Sequence, residues 1–376
     1  MNQENRVASM TAVRNACFFC LLFATAAGLT ALPGGGACAW AVEVDPMQPT
    51  SSPESAGTLP LGVVTIITGD LQATRRFYQG VMGMAFRLTE HDGASADALA
   101  AHWGLPATGT LRVALFSRPE AEGAATLRVI ERPDVNDTLR PGYDTRPIGP
   151  LGFGFPVRGL DRRYAIARAM GFEATAEVVT MAFPRADGST YDVGEFHLMA
   201  PDDVLVLGVD RGPLTPVGPL DEALDLGGVA YASVLVGDLA ATENFLSQVL
   251  GLERRRAISF RSGGPDGGLR GLRAGEEVAF QQWFSPGATT GYLVVMELLD
   301  GPKTRVTPLG PDRRGVAMWS FEVRSLPEFL ERWQRWSGSA TLPTVRRLAL
   351  PEAGEVEAVV VFTPDGLPVE IFQRQR

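Results

Sequence analysis

The sequence predicts an α+β fold made of four β-α-β-β-β modules. The stretch Gly62–Met84 has the pattern of a strand, an aspartate-capped turn, a helix and a glycine stop. The same pattern returns 168 residues later, at Tyr231–Leu252, in one phase over both the strand and the helix. Two weaker copies begin at Leu151 and Gly315. A repeat that keeps its phase over two kinds of element indicates an internal duplication.

Each element of the first copy follows from its residue types. The strand is rich in β-branched apolar residues, as a buried strand requires. Asp70 can accept hydrogen bonds from the free amides of the following turn and is therefore the predicted N-cap. Phe77 and Val81 continue the helical spacing that begins at Ala73, and Gly83 is a natural helix exit. In the second copy the matching residues are Asp238, Phe245 and Gly251.

The remaining elements follow from alternation and amphipathic spacing. In the first module we predict a helix over Ser95–Trp103 and strands over Ala85–Thr89, Thr110–Ser117 and Thr126–Arg132. In the second we predict a helix over Leu160–Met170 and strands over Phe153–Val157, Ala174–Phe183, Glu195–Met199 and Val204–Val209. In the third we predict strands over Glu277–Trp283 and Tyr292–Leu299. In the fourth we predict a helix over Leu326–Trp336 and strands over Val316–Val323, Val356–Phe362 and Leu367–Gln373.

The first residues predict a secretory leader. Arg6 and Arg14 precede the apolar run Ala16–Leu32, and small residues in Ala-x-Ala form place cleavage near Ala39 or Ala41. The expected location is therefore periplasmic or secreted. An uncleaved membrane anchor and a lipoprotein attached through the cysteine at position 38 remain as alternatives.

At 376 residues, the chain suits two domains of moderate size. We predict a signal peptide at 1–41, a flexible tether at 42–60, a first two-module domain at 61–210, a linker at 211–226 and a second two-module domain at 227–376.

Charge and cysteine usage exclude several classes of protein. The net charge is -9 and Lys303 is the sole lysine, which argues against nucleic acid and anionic membrane surfaces as partners. All three cysteines lie at or before position 38, so a processed chain would have no thiol nucleophile and no thiolate metal site. We expect no membrane association after leader cleavage, and the sequence does not indicate an oligomeric state.

Two strings of residues resemble the vicinal oxygen chelate superfamily, which includes glyoxalase I, extradiol dioxygenases and bleomycin resistance proteins. They are Phe77-Tyr78 with Met82-Gly83-Met84, and Pro364-Asp365-Gly366 with Glu370. The resemblance covers residues 62–373. It implies that the modules pair into two open β-barrels with helices outside, and that ligands lie in the cup of a barrel.

The resemblance also implies where a metal site would be, and this sequence departs from it. Metal-dependent members carry a ligand on the first strand of a module and a Glu on the last. The corresponding positions here are Val63, Gly152, Tyr231 and Met318, and then Glu131, Leu207, Glu297 and Glu370. No first-strand position is a histidine, although imidazole commonly supplies ligands to a divalent transition metal. We therefore expect no metal or other cofactor. In the alternative, a divalent metal binds at Glu370 and Glu297.

Glu370 and Glu297 are the sharpest candidates for chemistry, because each lies in an otherwise apolar strand where a carboxylate needs a partner or a wet cavity. If both face the second barrel, one can act as a general base beside the Tyr231 hydroxyl. Alternatively, they lie on a solvated face or are paired by arginines. His197 can contact a ligand in the first barrel, and Trp283 and Trp319 are candidate cup-lining residues.

The function that follows is binding of a small molecule in a cupped barrel by an exported protein, without the usual metal site. The alternative is a lyase, isomerase or oxidoreductase of the glyoxalase or dioxygenase type, with its active site in the second barrel. A third interpretation, an assembly protein that uses its sheets as interaction surfaces, is less favoured because the modules satisfy each other's edges.

Overall fold

The computed structural model describes residues 45–49, 51–52, 57–184 and 189–375. The predicted leader lies outside the described residues. Within those ranges, no helix is both long enough and apolar enough to cross a membrane.

The first module contains β1 (Thr58–Thr68), α1 (Leu71–Arg75, continued by a π-helical turn at Arg76–Val81), β2 (Ala85–Asp92), α2 (Gly93–Trp103), β3 (Thr110–Ser117) and β4 (Thr126–Glu131). The second contains β5 (Gly149–Pro156), α3 (Leu160–Ala169), β6 (Val179–Pro184), β7 (Thr190–Ala200) and β8 (Val204–Asp210). Two short strands, β9 (Leu220–Asp221) and β10 (Leu226–Gly227), lie in the predicted linker.

The third module contains β11 (Tyr231–Leu235), α4 (Leu239–Gln248), β12 (Glu253–Arg261), β13 (Glu277–Phe284) and β14 (Tyr292–Leu298). The fourth contains β15 (Gly315–Val323), α5 (Leu326–Ser337), β16 (Arg346–Leu350), β17 (Gly354–Phe362) and β18 (Pro368–Arg374). The predicted α+β class and the four modules are confirmed. The sequence reading missed β12 and β16, because their arginines mask the apolar alternation.

The duplication is visible in the hydrogen bonds of the two capped turns. The Asp70 carboxylate accepts from the Ala73 amide at 2.9 Å, and Asp238 accepts from Ala241 at the same distance. Satisfying a free amide of the first turn fixes where each helix begins. In both copies the helix exit is a glycine with positive φ, +63° at Gly83 and +67° at Gly251.

The strands form two eight-stranded sheets whose pairing differs from the predicted one. Sheet I has the order β16-β17-β18-β15-β1-β4-β3-β2 and joins the first and fourth modules. Sheet II has the order β12-β13-β14-β11-β5-β8-β7-β6 and joins the second and third modules. The prediction that consecutive modules share a barrel is therefore wrong for the sheets. Each joint is an antiparallel pair of first strands, β1 with β15 and β11 with β5, and strand patterning does not say which module supplies the partner.

Consecutive modules are tied through their turns instead. The Gly69 amide donates to the Asp202 carboxylate at 3.2 Å, which links the first module to the turn before β8. The Gly237 amide donates to Asp365 at 2.9 Å, which makes the same link between the third and fourth modules. Each of the two turn motifs that mark the repeats is thus bonded to the turn before the last strand of the module that follows it.

Each sheet has one face in a shared core and one face lining a cup. The shared core contains residues of both sheets together with the helices α1, α3, α4 and α5. Strand alternation sends every second side chain to the opposite face. The face of sheet I away from the core lines cup I, and the corresponding face of sheet II lines cup II.

The predicted tether is partly bound to the fold. Residues 58–60 belong to β1. Met47 is buried, and the Arg211 guanidinium donates to the Asp45 carboxylate at 3.1 Å. The description of 42–60 as a flexible tether is therefore wrong for residues 45–49 and 58–60.

Candidate functional site

The three residues predicted to form one site lie in three separate places. Glu370, on β18, faces cup I, whereas Tyr231, on β11, faces cup II. Glu297 lies on β14 on the same face as Val295, which packs in the shared core, and it pairs with Lys303. The structure therefore does not bring Tyr231, Glu297 and Glu370 together, and Glu370 and Glu297 cannot share a metal ion.

Cup I is filled by helix α2. Alanine is the best helix former and occupies much of this segment, so the connection between β2 and β3 is helical. Ala96, Leu99, Ala100 and Trp103 of the helix are buried in one cluster with inward residues of sheet I. These sheet residues include Ile67, Val113, Met318, Val356 and Phe372.

Glu370 accepts three hydrogen bonds at the bottom of cup I. His102 Nε2 lies 3.0 Å and Trp103 Nε1 2.8 Å from one carboxylate oxygen, and Arg128 Nη2 lies 2.7 Å from the other. An ionised carboxylate only accepts, so His102 Nε2 is the donor of that bond. The end of α2 is thereby fastened to β18, and the carboxylate is fully buried.

Arg128, on β4, occupies the centre of this network and is itself fully buried. Its guanidinium pairs with the Glu352 carboxylate, donates to Thr65 Oγ1 at 3.2 Å and lies 4.6 Å from the centre of the Trp103 ring. Register explains the meeting, because Thr65 is opposite Arg128 and Ser320 is opposite Glu370 in two parallel strand pairs. A planar guanidinium suits such a site because it binds two carboxylates and stacks on an aromatic ring.

The charges in cup I stabilise each other. Burial alone would raise the pKa of Glu370, but the positive charge of Arg128 and the hydrogen bond from His102 outweigh it and hold that pKa below its ordinary value. Burial would lower the pKa of Arg128, but Glu352 and Glu370 raise it. A divalent cation does not fit among these donors, because the guanidinium already stands between the two carboxylates. Among the described residues, no group of three His, Cys, Asp or Glu side chains is placed to hold a metal ion.

Cup II has an aromatic wall. The rings of Tyr231 and Tyr292 are stacked with centroids 5.1 Å apart, and Phe284 stacks on Tyr292 at 4.3 Å. Gly154 lies opposite Tyr231 in the sheet, and a Cβ atom there would collide with the Tyr231 ring. Burial, and then the nearby Glu195 carboxylate, raise the pKa of Tyr231 well above its ordinary value, so this hydroxyl stays protonated.

Cup II also contains a Glu–His pair. His197 and Glu195 are two apart on β7 and therefore face the same side of sheet II, with His197 Nε2 3.0 Å from a Glu195 oxygen. The Glu195 side chain is 15% exposed, in contrast to the sealed Glu370. Two buried polar atoms, His197 Nδ1 and Gln282 Oε1, have no hydrogen-bond partner among the described residues. Such atoms call for an explanation in a native structure.

A loop covers one end of cup II. The segment 262–276 connects β12 to β13 and places Leu269 and Leu272 against inward apolar residues of sheet II. It is held by Arg146, which donates to the Gly271 carbonyl at 2.6 Å, and by Thr175, which donates to the Gly268 carbonyl at 2.9 Å. Gly268 lies directly against His197 Nδ1.

The three predicted ligand-contacting residues are divided between the faces. His197 points into cup II. This cup is formed by the second and third modules, whereas the predicted first barrel consisted of the first and second. Trp283 lies on the core face of β13, where its Nε1 donates to Gln281 at 2.7 Å. Trp319 lies on the core face of β15 and lines a depression of only about 10 Å³ beside α4. Neither tryptophan lines a cup, because both have the strand parity of core residues.

Sequence reasoning missed the residues that complete both sites: Arg128, His102, Trp103, Glu195 and Gln282. One signal did exist, since an apolar strand around Glu370 requires a partner and an arginine was one alternative. The sequence could not say which arginine, because Arg128 is 242 residues away along the chain.

Comparison with known proteins supports the fold. Residues 61–187 match the family model of the Glyoxalase/Bleomycin resistance protein/Dioxygenase superfamily. Glyoxalase I from Zea mays is similar in structure, with a TM-score of 0.55 at 14% sequence identity, over 85% of this chain and 94% of that one. A candidate dioxygenase from Bacillus subtilis has a TM-score of 0.49 at 17% identity, over 86% and 87% of the two chains. No curated protein matches the sequence. Residues 61–187 therefore belong to the Glyoxalase/Bleomycin resistance protein/Dioxygenase superfamily, and the paired modules of the whole described chain have the fold of that family.

Proposed function

We propose that the protein binds a small polar molecule in cup II without a divalent metal. The observation that carries this proposal is the pair of buried polar atoms, His197 Nδ1 and Gln282 Oε1, that have no partner among the described residues. A buried polar atom costs free energy unless it is hydrogen-bonded, so a molecule that supplies a donor to each would gain affinity there.

The lining of cup II supports binding by its mixture of groups. The Tyr231 and Tyr292 rings offer an apolar surface, while Glu195 and His197 offer polar groups nearby. Leu207, Phe280 and Met296 of the same face are only half-buried. Ligand sites typically combine an apolar wall with a few placed polar groups.

Cup I supports the proposal by contrast, because its buried charges are already paired. Glu370 and Arg128 are satisfied by each other and by α2, and both are fully buried. A ligand entering cup I would have to displace the helix and leave buried charges without partners, which is costly.

Thermal denaturation with a panel of small polar metabolites tests the proposal. A ligand present at a hundredfold excess over its Kd stabilises the fold by about 2.7 kcal/mol, which is readily seen as a rise in melting temperature. Glu195→Gln should reduce that rise. Glu297→Gln is the matched control, since it makes the same chemical change outside the cup. The proposal fails if no panel member shifts the melting temperature, or if Glu297→Gln reduces the rise as much as Glu195→Gln.

An enzymatic function of cup II is a second candidate, favoured by the Glu195–His197 distance of 3.0 Å beside the Tyr231 hydroxyl. A carboxylate hydrogen-bonded to an imidazole can move a proton to or from a bound substrate. The reaction class would be a proton transfer, as in an isomerase or lyase. Turnover of a panel ligand that falls in Glu195→Gln by far more than its binding does would establish it; binding without turnover would exclude it.

We also propose that the chain is exported to the periplasm or secreted, on the evidence of the leader pattern at 1–41. The mass of the protein recovered from the exported fraction should correspond to a chain that begins after Ala39 or Ala41. Recovery of the uncut chain from the cytoplasm would contradict this.

A further inference from the structure

We propose that residues 45–49 occupy the mouth of cup II in place of part of its ligand, and that the ligand carries, besides the donors for His197 and Gln282, a carboxylate joined to a short apolar group. This inference rests on the proposed binding function of cup II. It adds the class of ligand and a means by which the protein limits access to the site.

The burial of Met47 is the first observation. Its side chain is 3% exposed and belongs to one buried cluster with Tyr231, Tyr292, Val193 and Val294, all of which face cup II. Methionine is flexible and its sulfur makes favourable contacts with aromatic rings, so it fits between such side chains without a precisely shaped pocket. An apolar side chain therefore already lies where we place the apolar part of the ligand.

The charge of Asp45 is the second observation. Arg211 donates to the Asp45 carboxylate at 3.1 Å, and it is held in place by a 2.6 Å bond to the Thr215 carbonyl. The Arg211 guanidinium also lies 5.4 Å from the centre of the Tyr191 ring. Arg211 itself is buried at the edge of the cup. A buried arginine that is prepared to receive a carboxylate indicates what the neighbouring site can recognise.

The conformation of the segment is the third observation. The Met47 amide donates to the Asp45 carboxylate at 3.1 Å, and the Gln48 amide donates to the Asp45 carbonyl at 2.8 Å. This turn holds the carboxylate and the thioether on one side, toward Arg211 and the aromatic wall. The spacing between the two groups sets the length of the ligand to a few bonds.

The segment is built so that it can be displaced. It belongs to neither eight-stranded sheet, and its carboxylate is partly exposed at 26%. Its removal would break none of the strand ladders. Because the segment is joined to the protein, its effective concentration at the cup is on the order of millimolar, and an added ligand must compete with it.

Direct binding of a peptide with the sequence of residues 45–49, blocked at both ends, tests the inference in the full chain. The variant Asp45→Ala/Met47→Ala removes both anchoring groups from the internal segment. We expect the blocked peptide to bind this variant at least about tenfold more tightly than it binds the wild type, since the internal competitor is weakened. Gln48→Ala, which changes an exposed neighbour in the same turn, should leave the wild-type affinity unchanged.

Two further probes separate the parts of the ligand. Hexanoate should bind the double variant, whereas hexanol, which has no carboxylate, should bind at least about tenfold more weakly because it forgoes a charge-assisted hydrogen bond. Adding Arg211→Met to the double variant should abolish the difference between these two probes. Circular dichroism of each variant shows that the fold is retained.

The outcomes distinguish this inference from the proposed function. If metabolites of the binding panel bind the wild type and the double variant with equal affinity, the inference that residues 45–49 take the place of part of the ligand is wrong and the proposed function stands. If neither protein binds any panel member, the peptide or hexanoate, both are wrong. Binding of hexanol as tightly as hexanoate would overturn the assignment of a carboxylate ligand.

Discussion

The two cups differ in the segment that connects the second and third strands of a duplicated module. In the first module the connection between the second and third strands is the alanine-rich helix α2, which fills cup I. In the third module the equivalent connection is the glycine-rich segment 262–276, which covers only one end of cup II. Glycine disfavours a helix by about 1 kcal/mol per residue relative to alanine. The change from an alanine-rich to a glycine-rich connection thus accounts for the difference between cup I, which is filled and contains buried charges, and cup II, which is only partly covered.

The polar groups follow the same division. In cup I, Glu370 and Arg128 satisfy each other and have no exposed surface. In cup II, Glu195 keeps some exposure, and His197 and Gln282 each have one atom with no partner in the part of the chain that the structure describes. A satisfied buried network stabilises one arrangement, whereas unsatisfied groups leave a capacity to bind. The comparison therefore gives cup I a structural role and supports the proposal that cup II binds a ligand.

The largest expected effect comes from breaking the network of cup I. Arg128→Met leaves the Glu370 and Glu352 carboxylates without their cation, and should lower the free energy of unfolding by about 3–5 kcal/mol. Lys303→Met is the matched control: it removes the partner of the less buried Glu297 and should cost no more than about 1 kcal/mol. Urea denaturation measures both. Equal losses in the two variants would contradict a structural role specific to cup I.

The second largest effect should be a loss at acid pH of the stability that the cup I network contributes. The pKa of Glu370 lies below its ordinary value in the folded protein, since Arg128 and His102 favour the charged form despite burial. Its contribution to stability is therefore present above the ordinary carboxyl range, about pH 4.3, and is lost as pH falls toward the folded pKa. The stability difference between wild type and Glu370→Gln, measured by urea denaturation, should shrink between pH 6 and pH 3. A difference independent of pH would show that folding leaves the pKa of Glu370 unchanged, and a difference that grows toward pH 3 would show that Glu370 is not ionised in the fold.

The smallest expected change in the free energy of unfolding comes from substituting two adjacent glutamines, Gln281 and Gln282. The Gln281 amide donates to Glu243, and its oxygen accepts from Trp283 at 2.7 Å, so Gln281→Met should cost about 1–3 kcal/mol. Gln282→Met removes an oxygen that has no partner among the described residues, and should change the free energy of unfolding by less than about 1 kcal/mol. Melting temperatures of the two variants provide the measurement. A larger loss for Gln282→Met would mean that its oxygen is already satisfied in the free protein.

The sequence by itself determined the local structure and the repeat. Asp70 and Asp238 cap their helices, Gly83 and Gly251 end them, and the strands other than β12 and β16 lie close to where alternation places them. These features depend on residues a few positions apart, so the sequence contains all the information they need. The need of Glu370 for a partner was readable for the same reason, because it follows from the apolar residues next to it.

Only the tertiary structure decided which modules pair and which side chains meet. The joints β1–β15 and β11–β5 connect strands whose patterns would equally suit other partners. That pairing brings Arg128 to Glu370 and sends Tyr231 to the other cup, so the predicted group of Tyr231, Glu297 and Glu370 is never formed. Side chains of a strand alternate between its two faces, and Glu297, Trp283 and Trp319 occupy the alternate positions that face the core and not a cup. Sites made of distant strands depend on long-range register, which a single sequence does not encode locally.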